Sequence, residues 1–361
     1  MGGAWHHEAV SPDLSSFSAY PIIQAPMAGG ASNPRLAAAV AAAGGLGFLA
    51  AGYKTSEAMY EEIRQLRDAT SSPFGVNLFM PQPHTVDPSA VAVYAEQLHG
   101  EAAWYDTELG DPEAGSDDAY DAKVAVLLED PVPIVSFTFG CPERSVLEAF
   151  AEAGTYTVVT VTSPAEALAA QRAGADALVV QGVEAGGHQG THRDDPQLDG
   201  AGIGLLTLIP LVREAVRLPV IAAGGLMRGR QIAAVLAAGA DAAALGTAFL
   251  VCPESGAHPL HKRAITDPVY ARTELTRAFS GRPARGLLNR FVREHGRYAP
   301  AGYPQVHHLT SPVRRAAAEL GDPQAMALWA GQGHRLAREM SAGALVETLA
   351  EELRTAQEAR A

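Results

Sequence analysis

His188 ends a run, Val179-Val180-Gln181-Gly182-Val183-Glu184-Ala185-Gly186-Gly187-His188, in which an apolar stretch passes into a glycine-rich turn. Glycines lack Cβ, so backbone N–H groups can approach a flat or anionic ligand there, and an imidazole at the rim exchanges protons near neutral pH. That pairing suits acid–base chemistry beside a bound group; a satisfied core histidine is the alternative. Other apolar runs also end in unusual residues: Ala25-Pro26-Met27-Ala28-Gly29-Gly30, Asn77, Gly224-Gly225 and Gly246-Thr247. The last two have the makings of a phosphate cradle, with backbone donors in glycine turns and a hydroxyl at the start of a short helix. A plain tight turn is the other reading of Gly224-Gly225.

These residues need a frame that gathers them, and the chain's rhythm predicts one. Short apolar runs at 21–24, 46–50, 74–78, 134–137, 157–161, 177–181, 220–223 and 242–245 alternate with alanine-rich amphipathic stretches, the pattern of βα units on a parallel sheet. Asn33 before Pro34 reads as a helix start. Eight such units predict an α/β fold, a (β/α)8 TIM barrel, in preference to an open doubly wound sheet, and a barrel brings the loops after its strands onto one face. The predicted organisation is an N-terminal extension over 1–20, a barrel over 21–253 and a helical C-terminal lobe over 254–361 capping the barrel mouth. An insertion at about 80–130, with a helix at 89–98, reads as a lid or a solvated excursion. Helices are expected in the lobe at 272–279, 312–319, 323–330 and 344–357. The stripe Leu345, Leu349 and Leu353 suits packing within the chain or a dimer contact.

Composition narrows the function classes. The chain has 361 residues and a formal charge of −13, with a pI near 5.4, which argues against nucleic-acid or anionic-membrane partners. No apolar window reaches the roughly 18 residues of a membrane span. The N-terminal segment, with His6, His7 and Glu8, lacks a secretory pattern, and Cys141 and Cys252 form neither a disulfide framework nor a metal spacing. A cytoplasmic enzyme, monomer or homodimer, is expected. The pairs His6-His7 and His307-His308 are not preformed ligand sets, so no metal is predicted.

At the level of motifs the chain resembles the nitronate monooxygenases, FMN-dependent (β/α)8 enzymes. The resemblance runs from about Tyr20 to at least Arg338. It is carried by Pro21-Ile22-Ile23-Gln24-Ala25-Pro26-Met27-Ala28-Gly29-Gly30, Gly75-Val76-Asn77-Leu78-Phe79, Ser136-Phe137-Thr138-Phe139-Gly140 and the segment from Gln181 to His188. Ile221-Ala222-Ala223-Gly224-Gly225, Leu245-Gly246-Thr247 and Leu328-Trp329-Ala330-Gly331-Gln332 complete it, in order and at matching spacing. The resemblance implies FMN contacts at Ala25, Pro26, Met27, Asn77, Gln181, Gly186, Gly187, Gly224, Gly225, Ala244, Leu245, Gly246, Thr247 and Gln332. It makes His188 the acid–base residue, taking the α-proton of a neutral nitroalkane or holding an anionic nitronate. The implied reaction consumes a nitronate and dioxygen and yields a carbonyl compound and nitrite.

Three positions depart from many family members: Thr138 stands where a histidine is common, Ala244 where a glutamine is common, and the C-terminal tyrosine region, with Tyr298, Tyr303, His307 and His308, has no lysine. Thr138 and Tyr303 are the substrate-side candidates, with surface packing the alternative for Tyr303 and core packing for Met27. Two other functions fit the same barrel: an NAD(P)H-dependent reductase of quinones or enoyl thioesters, and a flavin-binding protein without turnover.

Overall fold

The computed structural model describes residues 13–82, 86–115, 118–198 and 200–359; His6, His7 and Glu8 lie outside them. Eight parallel strands make one sheet: β1 (Ile22–Gln24), β2 (Gly47–Ala50), β3 (Phe74–Phe79), β4 (Ile134–Thr138), β5 (Tyr156–Val161) and β6 (Ala177–Gln181), then, after a two-residue strand β7 (Gly187–His188), β8 (Val220–Ala223) and β9 (Ala242–Leu245). Pairing runs β1-β9-β8-β6-β5-β4-β3-β2, and a parallel bridge between Ile23 and Leu46 joins the two ends. The sheet therefore closes into the expected barrel.

Strand alternation explains how the barrel is filled. Successive side chains point to opposite faces, so Ile23, Phe48, Ile134, Val158, Ile221 and Ala244 meet inside, while Ile22, Val76, Phe137, Val159, Val180 and Leu245 lie under the surrounding helices. Both faces are buried, which is why the strands read as continuous apolar runs. Asn33 accepts from Leu36 N at 3.0 Å and caps the first barrel helix, Pro34–Ala42, as its sequence predicts. The described part of the N-terminal extension is not loose. Its 3-10 turn, Leu14–Phe17, buries Leu14 in the barrel interior.

Two expectations are corrected by packing between distant segments. The insertion is shorter than 80–130, because helix Tyr120–Glu129 buries Tyr120 and Leu127 in the barrel's outer core and is the helix of the third βα unit. Nor is the rest a solvated excursion. Helix Pro88–Trp104, longer than expected, buries Val91, Tyr94 and Leu98 against Phe279, Phe291 and Val306 in a second core, and Tyr94 OH donates to Ala278 O at 2.8 Å.

The C-terminal stretch is not wholly helical. Residues 272–279 contain β10 (Thr273–Thr276), which pairs antiparallel with β11 (Ala284–Leu287), and β11 pairs with β7, the strand carrying His188. A local helical pattern lost here to hairpin pairing with the neighbouring β11, which the distant β7 holds on its other side, a tertiary override of propensity. Residues 323–330 hold the 3-10 turn Pro323–Ala325 and an antiparallel bridge from Trp329 to Gly286 in place of a helix, and the helix expected at 312–319 begins earlier, as Gln305–Glu319. The final helix, Ala342–Glu358, buries Leu345, Leu349 and Leu353 in the barrel's outer core, so that stripe packs within the chain.

Candidate active site

Alternation carries a polar layer to the inner rim where the strands end. Asn77 Nδ2 donates to Ser136 Oγ at 2.9 Å, Ser136 O at 3.2 Å and Thr138 Oγ1 at 3.0 Å, and the Thr138 and Thr160 hydroxyls lie 3.4 Å apart. Gln181 spends both ends of its amide on the next loop: Oε1 accepts from Gly190 N at 2.7 Å and Nε2 donates to His188 O at 3.2 Å. Across the barrel the inner rim is built of Ala25, Ala223 and Ala244. One side of the mouth is thus polar and pinned. The other is small.

The small side continues into glycine turns. Gly224 and Gly225 have φ of 143° and 66°, a region open to glycine at little cost. Among the described residues none accepts a hydrogen bond from the backbone N–H of Gly224, Gly225, Gly246 or Thr247, and helix Thr247–Leu250 starts at Gly246 without a side-chain cap. Unspent donors grouped at neighbouring strand ends form a cradle for an anion. The C-terminal segment closes over it: Gly331 N donates to Thr247 Oγ1 at 2.9 Å, and Gln332 N to Glu184 O at 3.0 Å. Gly186 packs so closely there that a Cβ would lie 2.4 Å from Gly331 N.

The loop after β1 is pinned by Ser32, whose hydroxyl accepts from Gln24 Nε2 and Met27 N, each at 2.9 Å. That sets Met27 Sδ 3.7 Å, and Ala25 Cβ 3.8 Å, from where a Cβ on Gly246 would stand. Pro26 lies between them, half-buried. Leu245 turns its side chain into the outer core, so only its backbone faces the rim. Gln332 is exposed and tied through its backbone.

His188, after Gly187 with φ of 74°, stands in a ring of aromatics. Its centroid is 5.7 Å from Phe139, 5.6 Å from Tyr303 and 5.5 Å from Trp329. Nε2 pairs with Ser280 Oγ at 2.8 Å. Burial, helped by the nearby Arg282 and Arg314 charges, pushes its pKa down to about 3, so the ring is neutral at physiological pH. Arg282 is fully buried, lies 4.2 Å over the Phe139 ring and donates to Gln82 Oε1 at 2.6 Å and to Thr191. Beyond Tyr303, whose hydroxyl donates to Tyr53 at 3.3 Å, Tyr53 stacks flat on His307 at 4.3 Å. A neutral imidazole within the field of two guanidinium charges favours an anionic guest and makes a weak base.

Asn77, Thr138, Gln181, Gly186, Gly187, His188, Gly224, Gly225, Ala244, Gly246, Thr247 and Tyr303 thus converge on the strand-end face. Tyr298 does not; it is exposed, with Arg297 over its ring, and His308 turns to Gly115 O. Sequence reasoning missed Tyr53, Ser280, Arg282 and Arg314. Ser280 and Arg282 border the stretch read as a helix, which hid the turn that aims them. Phe139 and Trp329 stood inside the family motifs without an assigned role.

Glu101, Glu294 and His295 cluster at a spacing that could hold a metal. Arg290 fills the place instead, bridging Glu101 at 2.5 and 2.8 Å and Glu294 at 2.7 Å. Among the described residues no helix is long and apolar enough to cross a membrane.

A closed barrel with an imidazole and an anion cradle at its strand ends defines a (β/α)8 enzyme. A profile of the family described as nitronate monooxygenase matches residues 11–352. The chain is 42% identical over 351 residues to a nitronate monooxygenase from Pseudomonas aeruginosa, covering 92% of this chain and 96% of that one, and 39% identical to a probable nitronate monooxygenase from Staphylococcus saprophyticus, covering 91% and 93%. The solved nitroalkane oxidase from Streptomyces ansochromogenes superposes with a TM-score of 0.95 at 68% identity, over 96% of this chain and 99% of that one. FabK from Thermotoga maritima superposes with a TM-score of 0.74 at 30% identity, over 96% and 97%. The chain belongs to the nitronate monooxygenase family, and it is an oxidoreductase.

Proposed function

We propose that the chain is an FMN-dependent nitronate monooxygenase that converts alkyl nitronates, and neutral nitroalkanes less efficiently, to a carbonyl compound and nitrite with dioxygen. The observation that carries this reading is the neutral His188, boxed by aromatic rings and within the field of the Arg282 and Arg314 charges, on the same rim as the cradle of unspent N–H groups. Nitronates are preformed anions. A weak base beside positive charge serves them better than a neutral carbon acid, whose proton a pKa of about 3 draws poorly.

The residues fit FMN. Gly224, Gly225, Gly246 and Thr247 would hold its phosphate through the backbone, with Ala244 and Leu245 leading into that turn and Gly331-Gln332 closing over it. Ala25, Pro26 and Met27 would form an apolar wall, and the small side chains of Ala25 and Ala244 leave room for a ring. Asn77, whose Oδ1 takes no hydrogen bond from the described residues, would meet the polar edge, while Gln181, Gly186 and Gly187 shape the loop. When bound, the flavin supplies the electron transfer to and from substrate and dioxygen. His188 moves or holds the substrate proton, Tyr303 and Trp329 exclude water, and Thr138, its hydroxyl engaged by Asn77 and Thr160, orients the layer beneath. We assign the barrel to 21–253 together with the final helix, Ala342–Glu358, which packs in its outer core, and the capping lobe to the residues between them, and place the enzyme in the cytoplasm as a monomer or homodimer.

The test is oxygen uptake with a preformed alkyl nitronate, run beside anaerobic bleaching of the flavin by NADH or NADPH. Nitronate-dependent uptake with nitrite release is expected. Bleaching by a pyridine nucleotide without nitronate turnover would favour the reductase reading that the FabK likeness keeps open.

A further inference from the structure

Ser280 stands in the turn between β10 and β11, almost fully buried, and its single hydroxyl proton has two possible acceptors. One is His188 Nε2 at 2.8 Å; the other is the carbonyl of Arg282 at 3.2 Å. Among the described residues no other group donates to that carbonyl, and Arg282 is fully buried. A sealed carbonyl without a donor is costly, about 1–3 kcal/mol, whereas His188 Nε2 can satisfy itself by carrying the proton. If Ser280 donates to Arg282 O, its oxygen accepts from His188 Nε2–H, and Arg282 N approaches the same oxygen at 3.4 Å. Ser280 Oγ, Arg282 O and His188 Nε2 are then all paired.

We propose that Ser280 is a positioning residue that locks His188 in the Nε2–H tautomer and so leaves the Nδ1 lone pair as the base facing substrate. Nδ1 makes no hydrogen bond among the described residues, and it is not one of the buried side-chain atoms left without a partner, so it opens to the mouth. In the opposite tautomer Nδ1 would carry a hydrogen and could only donate. When Nδ1 takes the α-proton of a nitroalkane, the imidazolium keeps its Nε2–H bond to Ser280, and the carbon retains the electron pair as the nitronate. A preformed nitronate does not need this step. The inference rests on the proposed function for its substrate, and on geometry alone for the tautomer.

Two measurements on the flavin-loaded enzyme test it. Nitrogen NMR of isotope-labelled histidine, assigned with His188→Asn, should show His188 protonated at Nε2 in the resting protein and a mixture of tautomers in Ser280→Ala. An Nδ1-protonated ring in the wild type overturns the proposal whatever the substrate proves to be. In kinetics, Ser280→Ala should lower kcat/KM for a neutral nitroalkane about tenfold or more while changing that for the matching nitronate less than about threefold, with Ser280→Thr restoring most of the loss. Equal losses for both substrates would reduce Ser280 to a structural role. If the wild type turns over neither substrate, the functional reading has failed, and the tautomer stands or falls on the NMR.

Discussion

An imidazole held near a pKa of 3 does not switch in the physiological range, and this sets what His188 can be asked to do. For a neutral nitroalkane, kcat/KM should stay level as the pH falls from 8 to about 5, because the base remains unprotonated. Steady-state rates with an acid limb near the ordinary value of 6.5 would contradict the burial that the aromatic ring imposes. His188→Asn removes the base but not the cradle. It should retain flavin yet lose nitroalkane turnover by about 100-fold or more and nitronate turnover by less, as rates on the two forms would show. Equal loss on both forms would remove the proton-abstraction role.

The element that matters most is the turn after β8, where backbone conformation and ligand space coincide. Alanine at Gly225 would hold φ of 66°, a left-handed conformation costing about 1–2 kcal/mol, and its Cβ would stand 3.2 Å from Glu184 Cβ. Gly225→Ala should leave the barrel folded and weaken flavin binding about tenfold, since a shift of that turn moves two of the cradle's donors. Fluorescence titration of the flavin-stripped protein would read this directly, and unchanged affinity would mean that the cradle binds something else. Gly331 and Gly186 show why the C-terminal segment belongs to the site: two glycine backbones in contact admit no side chain between them.

Across the whole molecule, the insertion helix and the C-terminal stretch share a second core, to which the barrel adds Ala31, Leu250 and Val251. Glu101 joins them. Its burial alone would raise the carboxyl pKa, but hydrogen bonds from Arg290 and His295 outweigh that and hold it at about 2. A depressed carboxylate contributes stability that is complete above pH 4.5 and is lost as the pH falls toward 2. Glu101→Gln should cost about 1–3 kcal/mol at pH 7, less than a fully buried pair would, because Arg290 is 31% exposed and partly screened. Urea unfolding should also show less acid sensitivity between pH 4.5 and 2 in the variant. An unchanged midpoint at pH 7 would mean that Arg290 finds another partner.

The alternation of apolar runs with amphipathic helices determined the barrel, because period-2 and period-3.6 patterns are local and each βα unit repeats them. The cap at Asn33 and the glycine turns at 224–225 and 246–247 were equally legible, since a missing Cβ or a capping side chain acts within a few residues. Family motifs singled out His188. Only the tertiary structure decided that residues 272–279 include a strand, that helix Tyr120–Glu129 belongs to the barrel, that Ser280 bonds the histidine with the Arg282 charge nearby, and that Tyr53 and Arg314 pack on His307. Most of those outcomes depend on partners far away in sequence: β7 holds the β10–β11 hairpin, Tyr94 finds Ala278, and Tyr53 finds His307. Burial and pKa follow from such contacts, so the chemistry of His188 is set by the company it keeps, while its place at a strand end was set by the chain's own rhythm.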